Sequence, residues 1–156
     1  LFYEILNQYL INQPIELAAP DRNDEIMQKF IVSLDLHYRT ERNVAFYAAE
    51  QCLSYSYFSE IIKSKTGVTA LKWIISRVII DSKQMLEFTN ISIKEIADKL
   101  NFPTQTFFGK YFKQYVGISP KEYRKRCKNR KGDVTANKIE IDLYNYLRNS
   151  DTKSEL

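Results

Sequence analysis

The sequence has 156 residues, 44% of them apolar, which is enough to bury a core and excludes wholesale disorder. Two cysteines and a single histidine cannot build a structural zinc site, which takes about four Cys or His ligands at close spacing, and they read as two unpaired thiols rather than half of a Cys–His nucleophile pair. The net charge of +4 hides an asymmetry: residues 1–59 carry four Lys/Arg against eight Asp/Glu, residues 60–131 sixteen against six, and residues 132–156 three against five.

A basic block between acidic flanks has two readings, a surface for a polyanion or a solvated lysine-rich face. Every apolar run is broken by charge well short of the ~18 residues a membrane span needs, and the longest, 71–80, contains Lys72 and Arg77. With no signal-peptide pattern, a cytoplasmic, reduced setting without a membrane partner is expected. Leu1 begins inside an amphipathic run with no initiator Met. The sequence therefore reads as a fragment, with a sensory or regulatory domain expected upstream.

Only four Gly and four Pro punctuate the chain, which suits helices joined by short turns. Phe2, Ile5, Leu6, Tyr9 and Leu10 predict a short amphipathic helix over 2–11, followed by a linker over 12–21 containing Pro14 and Pro20. Ile26, Phe30, Leu34 and Tyr38 mark a helix of about four turns at 3.6 residues each. Short helices follow over 44–51 and 55–65, the second stopped by Gly67. Ile74, Ile75, Val78, Met85 and Leu86 support one long helix over 69–88, with Trp73 as an anchor. Ser92 and Glu95 form a capping box that opens a helix holding Ile96, Ala97 and Leu100. A further helix spans 104–116 and ends at Gly117, and Pro120 opens another that carries Tyr123. In the tail, Ile139, Leu143, Tyr146 and Leu147 fit a helix better than the alternating strand they also permit. His37 falls on a helix face.

An internal repeat matters more than any single element. Ala48 and Ala97 lie 49 residues apart, each followed by a short turn and an apolar plug, Leu53 and Phe102. Phe58, Lys63 and Gly67 correspond to Phe108, Lys113 and Gly117 at a spacing of 50. The pattern is a helix-turn-helix occurring twice, with a small residue where two helices cross, a turn, and a plug beneath it. Asn101 and Cys52 occupy the turn position that asks for positive φ. Asn tolerates it and Cys does so poorly, so the first turn is expected to be either strained or slightly different in shape.

Sorting the second helix of each unit at ~100° per residue separates two faces. In the first, Phe58, Ile61 and Ile62 point inward, and Ser56, Ser59, Glu60 and Lys63 outward. In the second, Phe107, Phe108, Tyr111, Phe112 and Tyr115 share the inner face, and Thr106, Gly109, Lys110 and Lys113 the outer, with Gln105 at the edge. The aromatic row is expected to be core rather than a stacking platform for bases. The outer sets are small or polar with a lysine at the equivalent spot, as a helix entering a major groove requires. A connecting helix over 69–87 would be about 28 Å long, close to the ~34 Å at which major-groove faces recur on one side of a duplex.

The stretches FYAAEQCLSYSYFSEIIKSKTG (46–67), WIISRVIIDSKQML (73–86), ISIKEIADKLNF (91–102) and FFGKYFKQYVGISPKEYRK (107–125) resemble the AraC/XylS family of bacterial transcription regulators. The F-x-x-x-F-K and G-x-S-P-x-x-Y-R patterns of the second half carry most of the specificity. The resemblance covers roughly 24–127. It implies an all-α fold: a first helix-turn-helix subdomain over 23–67, a linking helix over 68–90 and a second subdomain over 91–128. Residues 1–22 would end a sensor domain or its linker; the resemblance says nothing of 129–156, where the apolar spacing alone gives a partly helical tail.

The function implied is sequence-specific binding of double-stranded DNA at promoters, as activator or repressor, with no cofactor, no metal and no enzyme activity. RNA polymerase is a further candidate partner, and a homodimer could form through a domain outside the sequence. Ser56, Ser59, Glu60, Gln105, Thr106, Gly109 and Lys110 fall on the base-reading positions. Lys63, Lys113 and Arg124 fall where phosphate contact or structural pairing is expected. Glu60 stands where the family often has Arg, and Ser82 and Asn101 replace the commoner Ala and Gly. The rival reading from another class is an all-helical protein-interaction module whose basic face only solvates it.

Overall fold

Seven helices follow one another in the computed structural model, which describes residues 21–129: α1 Arg22–His37, α2 Val44–Glu50, α3 Tyr55–Thr66, α4 Ala70–Phe88, α5 Ile93–Lys99, α6 Gln105–Val116 and α7 Pro120–Asn129. The described residues contain no strand. The expected helix over 2–11, most of the linker after it and the segment 139–147 lie outside the described residues.

Local chemistry explains the starts and stops. Asn43, Ser54, Thr69 and Thr104 each cap the following helix by accepting from a backbone N–H with a side-chain oxygen. Ser92 and Glu95 complete a reciprocal capping box, and the backbone bond to Glu95 holds its carboxyl below the ordinary range. Gly67 and Gly117 end α3 and α6 in the left-handed region at φ 71° and 87°, where a Cβ would be strained.

Helices α1, α2 and α3 pack around Phe30, whose ring meets Tyr47 and Phe58 edge-on at 5.5 and 5.3 Å. Helices α5, α6 and α7 pack around Phe108 and Phe112, with Leu100 beneath them and Tyr123 against the Phe112 ring. Helix α4 touches α1 and α3 in the first group and α5, α6 and α7 in the second. Its buried Ile74, Val78, Ile79 and Leu86 join both groups into one apolar cluster. Trp73 anchors its start by donating Nε1–H to Thr66 Oγ1 at 3.2 Å. The buried Ser82 donates to the Val78 carbonyl at 2.7 Å, so the helix accommodates it without an orphaned hydroxyl.

A polar junction that composition does not reveal lies where α1 meets α4. Asp81 is only 7% exposed. It accepts from Tyr38 Oη–H at 2.6 Å and from Arg39 Nε and Nη2 at 3.0 and 2.9 Å. Burial, then the bond to Asp81, raises the Tyr38 pKa above its ordinary value. Arg77 lies over the Tyr38 ring and pairs with Asp35 at 2.8 Å. Lys65 pairs with Asp24 at 2.7 Å. Two cations of the basic block, Arg77 and Lys65, are thus taken up by the acidic first segment within the fold rather than facing a partner.

Candidate nucleic-acid interface

The repeat holds at the level of single backbone bonds. In the first unit the N–H of Leu53 donates to the Ala48 carbonyl at 3.0 Å; in the second, Phe102 donates to Ala97 at 2.9 Å. Ser54 Oγ accepts from Tyr57 N–H at 3.3 Å, and Thr104 Oγ1 from Phe107 N–H at 3.2 Å. Gly67 and Gly117 close on Lys63 and Lys113 at 2.8 and 2.9 Å. Cys52 and Asn101 are the only non-glycine residues at positive φ among those described, at 56° and 53°. Holding a residue there costs on the order of 1 kcal/mol, less for Asn than for Cys. The strain expected at Cys52 is therefore present.

The outer faces of α3 and α6 carry the expected residues. Ser56, Glu60 and Lys63 on α3, and Gln105, Thr106, Lys110 and Lys113 on α6, are exposed. Gly109 is partly covered, yet a Cβ built on it would meet nothing within 4 Å. No neighbour inside the protein requires that glycine.

Three positions differ from the sequence reading or narrow it. Phe107, expected in the core row, is 62% exposed. It occupies the first turn of α6, while Phe108 one residue on is fully buried. Ser59, expected to face outward, is half-buried, and its Oγ is covered without a hydrogen-bond partner. Arg124 donates from Nε to the Leu86 carbonyl at 3.2 Å, tying α7 to α4, which is the structural half of its expected role. Arg42, which the sequence reading passed over, reaches from the α1–α2 connector to the second unit.

No metal-binding group of acidic, His or Cys side chains occurs among the described residues, and no described helix is long and apolar enough to cross a membrane.

A family model described as a helix-turn-helix domain matches residues 47–126, just over half of the chain, and runs from α2 to α7. The chain belongs to the AraC-type helix-turn-helix family. Among relatives in that family, it is 30% identical over 92 residues to the arabinose operon regulatory protein of Escherichia coli K12, a match covering 59% of this chain and 32% of that protein. It is 34% identical over 77 residues to the Msm operon regulatory protein of Streptococcus mutans, covering 49% and 28%. The chain spans about a third of the length of the curated relatives it matches.

Two solved domains share the fold. The DNA-binding domain of AdpA, a global transcriptional factor solved in complex with a target DNA, gives a TM-score of 0.61 at 23% identity, covering 75% of this chain and all of that one. The C-terminal domain of AraT, a response regulator from Geobacillus stearothermophilus, gives 0.61 at 24%, covering 68% and 88%.

Proposed function

We propose that residues 23–128 form the promoter-binding part of a transcription regulator, and that α3 and α6 enter successive major grooves of one duplex. The observation that carries this reading is the duplicated unit. Two helices, each with a hydroxyl N-cap, a glycine stop and a lysine at the same outward place, are joined through α4, whose 19 residues span about 28 Å at ~1.5 Å each. That length suits consecutive grooves, which recur every ~34 Å on one side of B-DNA.

Gln105, Thr106 and Lys110 on α6, and Ser56 and Glu60 on α3, are the base-reading residues of this proposal. Ser59 contributes only if its covered hydroxyl turns outward. Lys63 and Lys113 take phosphates. Glu60 reads a cytosine N4 amine, a major-groove donor whose hydrogen bond to the acid offsets its repulsion by the phosphates. RNA polymerase as a contact, a homodimer through a further domain and a cytoplasmic setting belong to the same proposal.

Selection of bound duplexes from a random pool tests it. Against a selected site, Lys110→Ala and Gln105→Ala are each expected to lose about 1–3 kcal/mol, the worth of a good base contact, while binding to random duplex changes much less. Equal loss on both duplexes would remove these residues from base reading. Gly109→Ala separates two further effects. It should raise helix stability by about 1 kcal/mol, since nothing in the fold opposes the methyl group. If α6 approaches the duplex backbone closely, the same methyl weakens binding, so a thermal melt and a binding curve should move in opposite directions.

A further inference from the structure

The α1–α2 connector, residues 38–43, grips two other parts of the molecule. Arg39 holds Asp81 on α4. Three residues on, Arg42 reaches into the turn of the second helix-turn-helix. Its Nη2 donates to the Leu100 carbonyl, its Nη1 to the Asn101 carbonyl at 3.4 Å, and its guanidinium lies 4.1 Å over the Phe102 ring centroid. Nη2 also donates to the Arg39 carbonyl at 3.3 Å, which joins the two grips. Burial lowers the Arg42 pKa, and its Nε is covered without a partner. Both mark a guanidinium drawn out of water.

The residues it holds are the ones that set α6. Leu100 is fully buried, Asn101 is the positive-φ residue of the turn, and Phe102 is the plug whose ring meets Phe108 at 5.3 Å. A planar fork that hydrogen-bonds two successive carbonyls and stacks on the next ring fixes orientation as well as distance, which a lysine at the same place cannot do. Helix α4 by itself sets the separation of the units but resists relative rotation only through its packing.

We propose that Arg42 is a positioning residue that locks the second recognition helix in register with the first, and so sets the half-site spacing the protein accepts. The inference rests on the two-groove reading above, and touches no base itself.

The test uses the full 156-residue chain with the selected duplex, a duplex keeping only the second half-site, and duplexes with one or two base pairs inserted between half-sites. The wild type is expected to lose at least tenfold in affinity per insertion. Arg42→Ala is expected to bind the single half-site within about twofold of wild type, to bind the full site roughly tenfold more weakly, and to lose less than threefold on insertion. The single half-site also reports that the variant is folded. Arg42→Lys, which keeps the charge and loses the fork, should follow Arg42→Ala. Arg42→Ala that discriminates spacing as sharply as wild type would overturn the proposal.

A DNA-free measurement separates this failure from failure of the DNA reading. Residual dipolar couplings from α1–α3 and α5–α7 should fit one alignment frame in wild type and two in Arg42→Ala. One shared frame in both proteins refutes the lock whether or not a duplex binds, and a wild type that selects no duplex refutes the two-groove reading alone.

Discussion

Phe108→Ala is expected to destabilise the protein by about 3–5 kcal/mol in urea unfolding, the range for truncating a buried aromatic, while Phe107→Ala next to it stays within about 0.5 kcal/mol as surface substitutions do. The two share a residue type and adjacent places on α6, so propensity cannot separate them. Burial does: Phe108 is 0% exposed and Phe107 62%. The Phe108 ring contacts Phe102 at 5.3 Å and Phe112 at 5.8 Å, and Phe112 in turn meets Tyr123 on α7. Removing it opens a cavity beneath the turn and loosens three helices together. A whole domain is stable by only about 5–15 kcal/mol, so Phe108→Ala should come close to unfolding the second unit. Equal losses for both variants would show that Phe107 is buried in solution.

The contrast between these two phenylalanines shows what the sequence could and could not tell. Helical period, caps and glycine stops are local, and the helices expected over 44–51, 55–65, 69–88 and 104–116 lie within a residue of those bounds. The repeat was legible because both copies keep an apolar plug, a hydroxyl N-cap and a glycine stop, and even the positive φ at Cys52 and Asn101 followed from turn geometry. The inner face of α6 was legible only as an arc. How much of that arc is covered depends on how the neighbouring helices pack over it, and Phe107 is left exposed. Ser59 fails for the mirror reason: its angle is outward, but its hydroxyl is covered.

Charge was the least legible feature. A count over 60–131 treats Arg77, Lys65 and Arg124 like any surface cation, yet they hold Asp35, Asp24 and the Leu86 carbonyl. Arg42 was the opposite case, a cation in the acidic half whose partner is a turn almost 60 residues away. Partners at that separation leave no periodic trace. Only the folded chain brings Asn101 to Arg42.

Raising salt from 50 to 200 mM is expected to weaken binding to duplex DNA by about 10³-fold, because neutralising about six phosphates gives a slope near −5 in log affinity against log salt. The cations available for this are the ones the fold leaves exposed, Lys63 and Lys113 on the two reading helices first, with Lys110 beside them. Because Arg77 and Lys65 are already paired within the protein, the slope should fall well below the sixteen that the basic block would supply if every cation met a phosphate. Lys63→Ala should lower affinity for selected and random duplexes alike and flatten the slope by about one. An interaction module with a merely solvated basic face would show little salt dependence and no effect of Lys63. A slope that stays unchanged in Lys63→Ala, with base preference altered instead, would move that lysine from the phosphates to the base edges and rotate α3 in the groove.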